Sequence, residues 1–427
     1  MKRTKIILLL VLLGALCCCI RPCEVPIRPS PSTEDKAQIS KPSPSPGEGA
    51  EPSEPLVPPD QSEVADKPSE GVDLIYPCSS RDLLSSYKQK SKKDFEEVCK
   101  QYEEREFQLY SSFDVGGNLA KTYTKGTSLA HLYYHPVTEE LNVVLSESAG
   151  GSLPPATPPE GEFKCTVTQL RQYPHGNGMG YVIRLKDGSF IIYDGGYATA
   201  ADEILEILKE QSEEEPPLIR AWIITHFHND HYTAFHEMAK RARASTAPFT
   251  LETVIASPLV KGYTALLNQF SQNVLSFPGA RFVFAHTGMK FTFCNLTLEI
   301  LYTPESLYKT APDTEDFNNT SIVSRLRDEN TSMLFTGDIA LAGASLIQRL
   351  YGSALSSDMV QMSHHGLEDA PLSFYEKIRP KVLWYPCSTE NYHSERNLEL
   401  RRALESWSTT EEILIAGAGR YCRVWSP

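Results

Sequence analysis

Four potential metal ligands fall within six residues at the end of an apolar run: Ile223-Ile224-Thr225-His226-Phe227-His228-Asn229-Asp230-His231. Side chains alternate along a strand, so His226 and His228 leave the strand end on the same side. The chain then turns and brings Asp230 and His231 to a neighbouring position. Two imidazoles for one ion, and a carboxylate with an imidazole for a second, form a donor set that suits zinc. With eleven histidines in 427 residues, so dense a group is improbable as a chance polar loop.

Other polar groups follow in order. Asp194 closes Ile191-Ile192-Tyr193-Asp194-Gly195-Gly196, and Asp338 closes Leu334-Phe335-Thr336-Gly337-Asp338. Late histidines stand in Met362-Ser363-His364-His365-Gly366 and in Asn391-Tyr392-His393. With His226-x-His228-x-Asp230-His231, this succession resembles the metallo-β-lactamase superfamily over about residues 162–427. Within it, the His-His-Gly and Asn-Tyr-His pair and Asn318-Asn319-Thr320-Ser321 are similar to the external hydrolase domain of bacterial DNA-uptake channel proteins and to the pneumococcal phosphorylcholine esterase.

The resemblance implies a dinuclear centre of two transition-metal ions, zinc first and Mn²⁺ as the alternative. His226 and His228 are expected on one ion, Asp230, His231 and His393 on the other, and Asp338 between them. Such a pair lowers the pKa of a bound water from near 16 toward about 7. Asp230 also steers the nucleophile. His364 serves as a ligand or stabilises developing charge. His365 belongs to the same catalytic set but, on a continuing strand, faces away and has the mildest effect. Asp194 orients a neighbouring histidine or simply makes a turn. The pattern departs from the family at one point: Phe317, Asn318 or Asn319 stands where many members carry a histidine. The first site is then three-coordinate in protein ligands, uses Asn, or binds metal more weakly. His286 is better explained as structural than as a substitute.

These groups need elements to hold them. From Lys164 onward, strand-like runs alternate with helical ones, and strands lacking helical crossovers imply antiparallel pairing. A four-layer α/β/β/α sandwich satisfies both patterns, and it is also the fold of the resembled family. Ahead of it, Leu83–Tyr110 has helical periodicity, and Ser128–Tyr134 with Glu140–Ser146 suggests a hairpin. The expected organisation is a signal or lipoprotein anchor at 1–23 and a disordered Pro-rich linker at 24–70. A small helix-plus-hairpin α+β accessory unit at 71–161 then precedes the α/β domain at 162–427. His131 and His135 are expected as surface residues, and His236 as a surface or packing residue. His175-Gly176-Asn177-Gly178 lacks the Lys-Ser/Thr of a P-loop.

Lys2, Arg3 and Lys5 precede an apolar run at Ile6–Leu16, followed by Cys17, Cys18 and Cys19. That run is short for a bilayer span and fits an export signal, with lipid on one of the cysteines. Residues 24–70 hold eleven prolines among Ser, Glu, Gly and Lys, a composition for an extended tether. The expected location is outside the cytoplasm, anchored to a bacterial membrane. Of the remaining cysteines none has CxxC spacing; Cys165, Cys294 and Cys422 are expected to pack as small hydrophobes, and Cys78 could pair with Cys99. A net charge of −13 gives long nucleic acid no general attraction, so a small-molecule or cell-envelope substrate is favoured. The expected activity is phosphoester hydrolysis. The alternatives are ester, lactone or β-lactam hydrolysis on the same centre, and a tethered binding protein without turnover.

Overall fold

The computed structural model describes residues 74–77, 82–172, 176–258, 264–308, 317–367 and 369–425. All of these residues belong to one compact unit. The anchor, the linker and Cys78 lie outside the described residues. Among those described, no helix is long and apolar enough to cross a membrane.

Two mixed sheets face each other. The first runs, in spatial order, Arg281–Phe284, Thr253–Ala256, Leu218–Ile224, Phe190–Asp194, Gly180–Arg184, Thr166–Gln169 and Tyr421–Val424, with Thr250–Leu251 beside the third of these. Its pairs are parallel up to Phe190–Asp194 and antiparallel beyond. The second orders Lys290–Phe293, Leu296–Tyr302, Val323–Arg327, Ser332–Phe335, Met359–Gln361, Val382–Tyr385 and Glu412–Ile415. Here the first four strands are antiparallel and the last three join in parallel.

The alternation of side chains makes the layers. Along Leu218–Ile224, Ala221 and Ile223 enter the core between the sheets, where Tyr193 stacks on Phe335 at 3.7 Å between ring centroids. Such a pair adds about 0.5–1.5 kcal/mol beyond its buried area. Trp222 and Ile224 point the other way, into a layer formed with Ile204 and Ile207 of helix Ala201–Gln211 and Phe235 and Met238 of helix Asn229–Arg243. On the second sheet, Leu334, Val360 and Leu383 pack with Ile347, Phe374, Ile378 and Leu404 of three further helices. Helix, sheet, sheet, helix is the architecture expected from the sequence.

The preceding segment is more β-rich than expected. It forms a six-stranded antiparallel sheet, ordered Leu74–Pro77, Asp82–Tyr87, Glu140–Ser146, Ser128–His135, Asn118–Lys125, Gln108–Val115. The helix covers only Lys92–Glu104, because Ser91 and Asp94 form a capping box that starts it there. Leu83, Leu84 and Tyr87 share the helical spacing but belong to a strand. Phe95, Cys99 and Tyr102 of the helix cover one face of this sheet, so Cys99 is a buried free thiol. The opposite face contributes Leu84, Phe113, Ala120, Tyr133 and Val144 to the core beneath the second sheet's helices. His131 and His135 lie on that covered face and are buried, not at the surface. Cys165 and Cys294 are buried as expected, whereas Cys422 on the outermost strand is exposed.

Candidate metal centre

Strand Leu218–Ile224 is a central parallel strand, buried at all but its first and third residues, which explains the apolar run from Ala221 to Ile224. It ends at the sheet edge, and Thr225, His226 and Phe227 leave it. Helix Asn229–Arg243 begins at once, with His228 in extended conformation as its N-cap. Asp230 and His231 therefore stand in the first helical turn. A carboxylate there suits the positive end of the helix dipole, and Lys240, Arg241 and Arg243 complement the other end.

Three imidazoles are oriented in the same way. Thr225 donates its hydroxyl proton to Asp194 Oδ2 at 2.7 Å, so toward His226 Nδ1, 3.2 Å away, it can only accept. His231 donates Nδ1–H to Asp194 Oδ2 at 2.7 Å, and His365 donates Nδ1–H to the Pro386 carbonyl at 2.8 Å. In each ring one nitrogen is held by a fixed oxygen, which leaves Nε2 as a lone pair pointing inward. Asp194 earns its positive φ of 52° at this turn by serving Thr225 N, Thr225 Oγ1 and His231 together.

The lone pairs meet at Asp338. Its Oδ2 lies 3.1 Å from His231 Nε2, 3.4 Å from His365 Nε2 and 3.7 Å from His226 Nε2. Asp230 Oδ2 is 3.1 Å from His365 Nε2. Ser321 Oγ, which accepts the Asp338 backbone N–H at 2.9 Å, also lies 3.2 Å from His226 Nδ1. Gly337, at φ +54°, makes this approach feasible, since a Cβ there would sit 2.7 Å from both Ser321 Cβ and Oγ.

Electrostatics give the cluster a need for positive charge. Burial would push His231 and His365 down, but Asp338, joined by Asp194 for His231 and by Asp230 for His365, outweighs it; His231 is held well above its usual range and His365 is raised to about 9. Burial would likewise raise Asp338, yet His231 and His365 hold it well below the usual carboxylate range. His226, which burial and His231 push down, stays neutral.

Two atoms test whether metal ions fit. Asp338 Oδ1 is buried without a hydrogen-bond partner among the described residues, and His365 Nε2, close to two carboxylates, has no aligned bond either. A cation between them satisfies both. Two donor groups form: His226, His231 and Asp338, and Asp230, His231 and His365, each with ligand atoms within 4.8 Å of one another. Nitrogen and carboxylate donors suit zinc.

The sequence-predicted residues divide accordingly. His226, Asp230, His231, Asp338 and His365 come together. His228 stands beside them, Nδ1 3.1 Å from His226 Nε2, half-buried and with its ring tilted against Phe317. His364 lies at the rim, Nε2 4.0 Å from Asp338 Oδ2. His393 does not join: it is exposed at the C-terminus of the short helix Thr389–Tyr392. His365 does not face away, because the strand stops at Gln361 and His364 and His365 adopt left-handed φ of 46° and 60°. That turn brings both neighbouring rings toward Asp338, with His365 buried and His364 partly exposed. Asn318 Nδ2 reaches His364 Nε2 at 3.3 Å, and Asn319 Oδ1 accepts from Ala340 N and Gly343 N. His286 is bonded to Glu305, and His236 to Asn273, away from the cluster.

Comparison with known proteins bears on the same stretch. Residues 174–381 match the family model described as the metallo-beta-lactamase superfamily. Among solved structures, the chain is similar to the metallo-beta-lactamase fold protein YhfI from Bacillus subtilis, with 13% identity, a TM-score of 0.41 and coverage of 61% of this chain and 99% of that one. It is also similar to zinc-bound PqqB from Methylobacterium extorquens, at 10% identity and a TM-score of 0.39 over 60% and 99% of the two chains. A third is CmlA, a diiron β-hydroxylase from Streptomyces venezuelae, at 12% identity and a TM-score of 0.38 over 63% and 55%. No curated protein matches the sequence.

Proposed function

We propose that this protein, whose residues 174–381 match the metallo-beta-lactamase superfamily, is a metal-dependent hydrolase that cleaves phosphoester bonds with two divalent ions. The observation that carries this reading is the sharing of His231 between adjacent donor groups, with Asp338 of the first group 3.4 Å from His365 of the second and its Oδ1 unspent. A pair of ions a few ångströms apart suits in-line displacement at phosphorus, where attacking and leaving oxygens both need stabilising.

When bound, the ions polarise the phosphoryl oxygen and lower the pKa of water. The protein's own contribution is orientation. Asp194 and the Pro386 carbonyl fix the rings of His231 and His365, and Thr225 and Ser321 fix His226. Asp338 draws the three inward nitrogens to one place. Phe317, its ring 5.3 Å from that of His228, gives the site an apolar wall.

The basic N-terminus, short apolar run and Cys17–Cys19 support a lipid-anchored protein acting outside the cytoplasm. With the acidic balance of the chain, they support a small or envelope-borne substrate. Metal-replete protein is to be assayed on bis-p-nitrophenyl phosphate, p-nitrophenyl phosphorylcholine, single-stranded DNA and nitrocefin. Turnover of a phosphoester, lost on chelation and restored by Zn²⁺ or Mn²⁺, is expected. Turnover of nitrocefin alone, or of nothing, overturns the assignment. Fatty-acid labelling that persists after Cys17, Cys18 and Cys19 are all replaced by Ser overturns the lipid anchor.

A further inference from the structure

Asp369 belongs to neither donor group, yet it holds the one histidine at the rim of the cleft. His364 is tied by its backbone, N–H to the Gly337 carbonyl at 3.1 Å, and its side chain is only 21% exposed. Its Nδ1 is hydrogen-bonded to Asp369 Oδ2. A carboxylate can only accept, so the proton sits on Nδ1. Nε2 is then an acceptor, facing Asn318 Nδ2 at 3.3 Å and lying 4.0 Å from Asp338 Oδ2, beside the metal ligands without being one of them. Arg396 Nη2, 3.5 Å from the same Asp369 oxygen, steadies the carboxylate from the solvent side.

We propose that Asp369 is a positioning residue that acts through His364, fixing the ring so that Nε2 is presented as an acceptor beside Asp338, where the attacking water replaces the Asn318 amide as its donor. Without Asp369 the ring is free to rotate about its χ2, and the acceptor loses its aim. This rests on the phosphoester reading for its substrate, but the geometry is a property of the chain. A partner of this kind, one bond removed from the working ring, typically changes activity by about 10- to 100-fold.

The test uses the metal-replete full chain and bis-p-nitrophenyl phosphate. Asp369→Ala is expected to lower kcat by about 10- to 100-fold, with KM within about twofold and metal content unchanged. Asp369→Asn, which keeps an oxygen acceptor, retains most of the rate. In a His364→Ala background, Asp369→Ala adds nothing, because the ring it positions is gone. Wild-type kcat in Asp369→Ala, lost metal, or an additive double variant overturns the proposal. Ring ¹⁵N shifts give a readout independent of turnover: the His364 proton is expected on Nδ1 in the wild type and redistributed in Asp369→Ala. A wild-type proton on Nε2 overturns the positioning role. If no phosphoester is hydrolysed, the substrate assignment fails, and the ring shifts still decide the role of Asp369.

Discussion

At the seam between the six-stranded sheet and the second sheet, His131, His286 and Glu305 are as buried as the histidines of the metal centre. His131 stacks on His286 at 6.0 Å, and His286 Nδ1 meets Glu305 Oε2 at 2.9 Å. Composition alone does not separate this group from His226, His231, His365 and Asp338. The direction of the polar atoms does. Glu305 Oε1 takes the Thr287 N–H and the Thr303 hydroxyl, and the two nitrogens of His131 are used by Thr122 and the Thr287 carbonyl. At the metal centre, inward nitrogens converge on a carboxylate with one oxygen unused. A buried histidine–carboxylate group is a structural joint when its bonds close on the protein, and a metal site when they stop short at a common point.

The comparison breaks most visibly at Asp338. Asp338→Ala is expected to lower hydrolysis by at least about 10²- to 10³-fold and to empty the centre of metal, read by elemental analysis after dialysis. Full metal content in that variant would falsify the convergence argument. A smaller effect separates the late histidines: His365→Ala loses metal and about a hundredfold or more in rate, in keeping with loss of a first ligand. His393→Ala leaves metal content intact and rate within about twofold. Equal losses in both would return His393 to the centre.

The seam should respond in stability instead. Glu305→Ala strands His286 in the interior and is expected to cost about 3–5 kcal/mol, by analogy with other broken buried pairs. Denaturant unfolding measures this, while metal stoichiometry of the folded fraction stays constant. Acid supplies the gentlest test. Burial, reinforced by His286, holds His131 down to about 4, whereas the unfolded chain binds that proton near 6.5. Its neutral form therefore stabilises the fold fully above about pH 6.5, and that stability drains away as pH falls toward 4. The loss is on the order of 3 kcal/mol. His131→Gln should flatten the unfolding free energy across this window, and an unchanged slope would count against the buried neutral ring. Glu305, held to about 2 by His286 against its burial, adds a separate loss between about pH 4.5 and 2.

Local sequence determined the front of the site and the layers that carry it. A largely apolar strand followed by His226-x-His228-x-Asp230-His231 specifies its own geometry, because strand alternation and one helical turn act over a few residues. The αββα layering followed similarly from periodicity, since a buried strand and an amphipathic helix each show their environment in their composition. The back of the site was settled only by tertiary structure. His364, His365 and His393 are equally good ligands by type. What selects among them is a left-handed turn at residues 364–366, where Gly366 at φ +82° would bring a Cβ within 2.4 Å of Tyr385 Cδ1, and a Pro386 carbonyl that claims one nitrogen of His365. The accessory segment misled for a related reason. Helical spacing at Leu83, Leu84 and Tyr87 is also strand spacing once a second sheet face is covered, and only long-range packing tells the two apart. His135 borders the turn that begins at Pro136, His131 stands within the same strand, and both are buried because a different part of the chain lies on top of them.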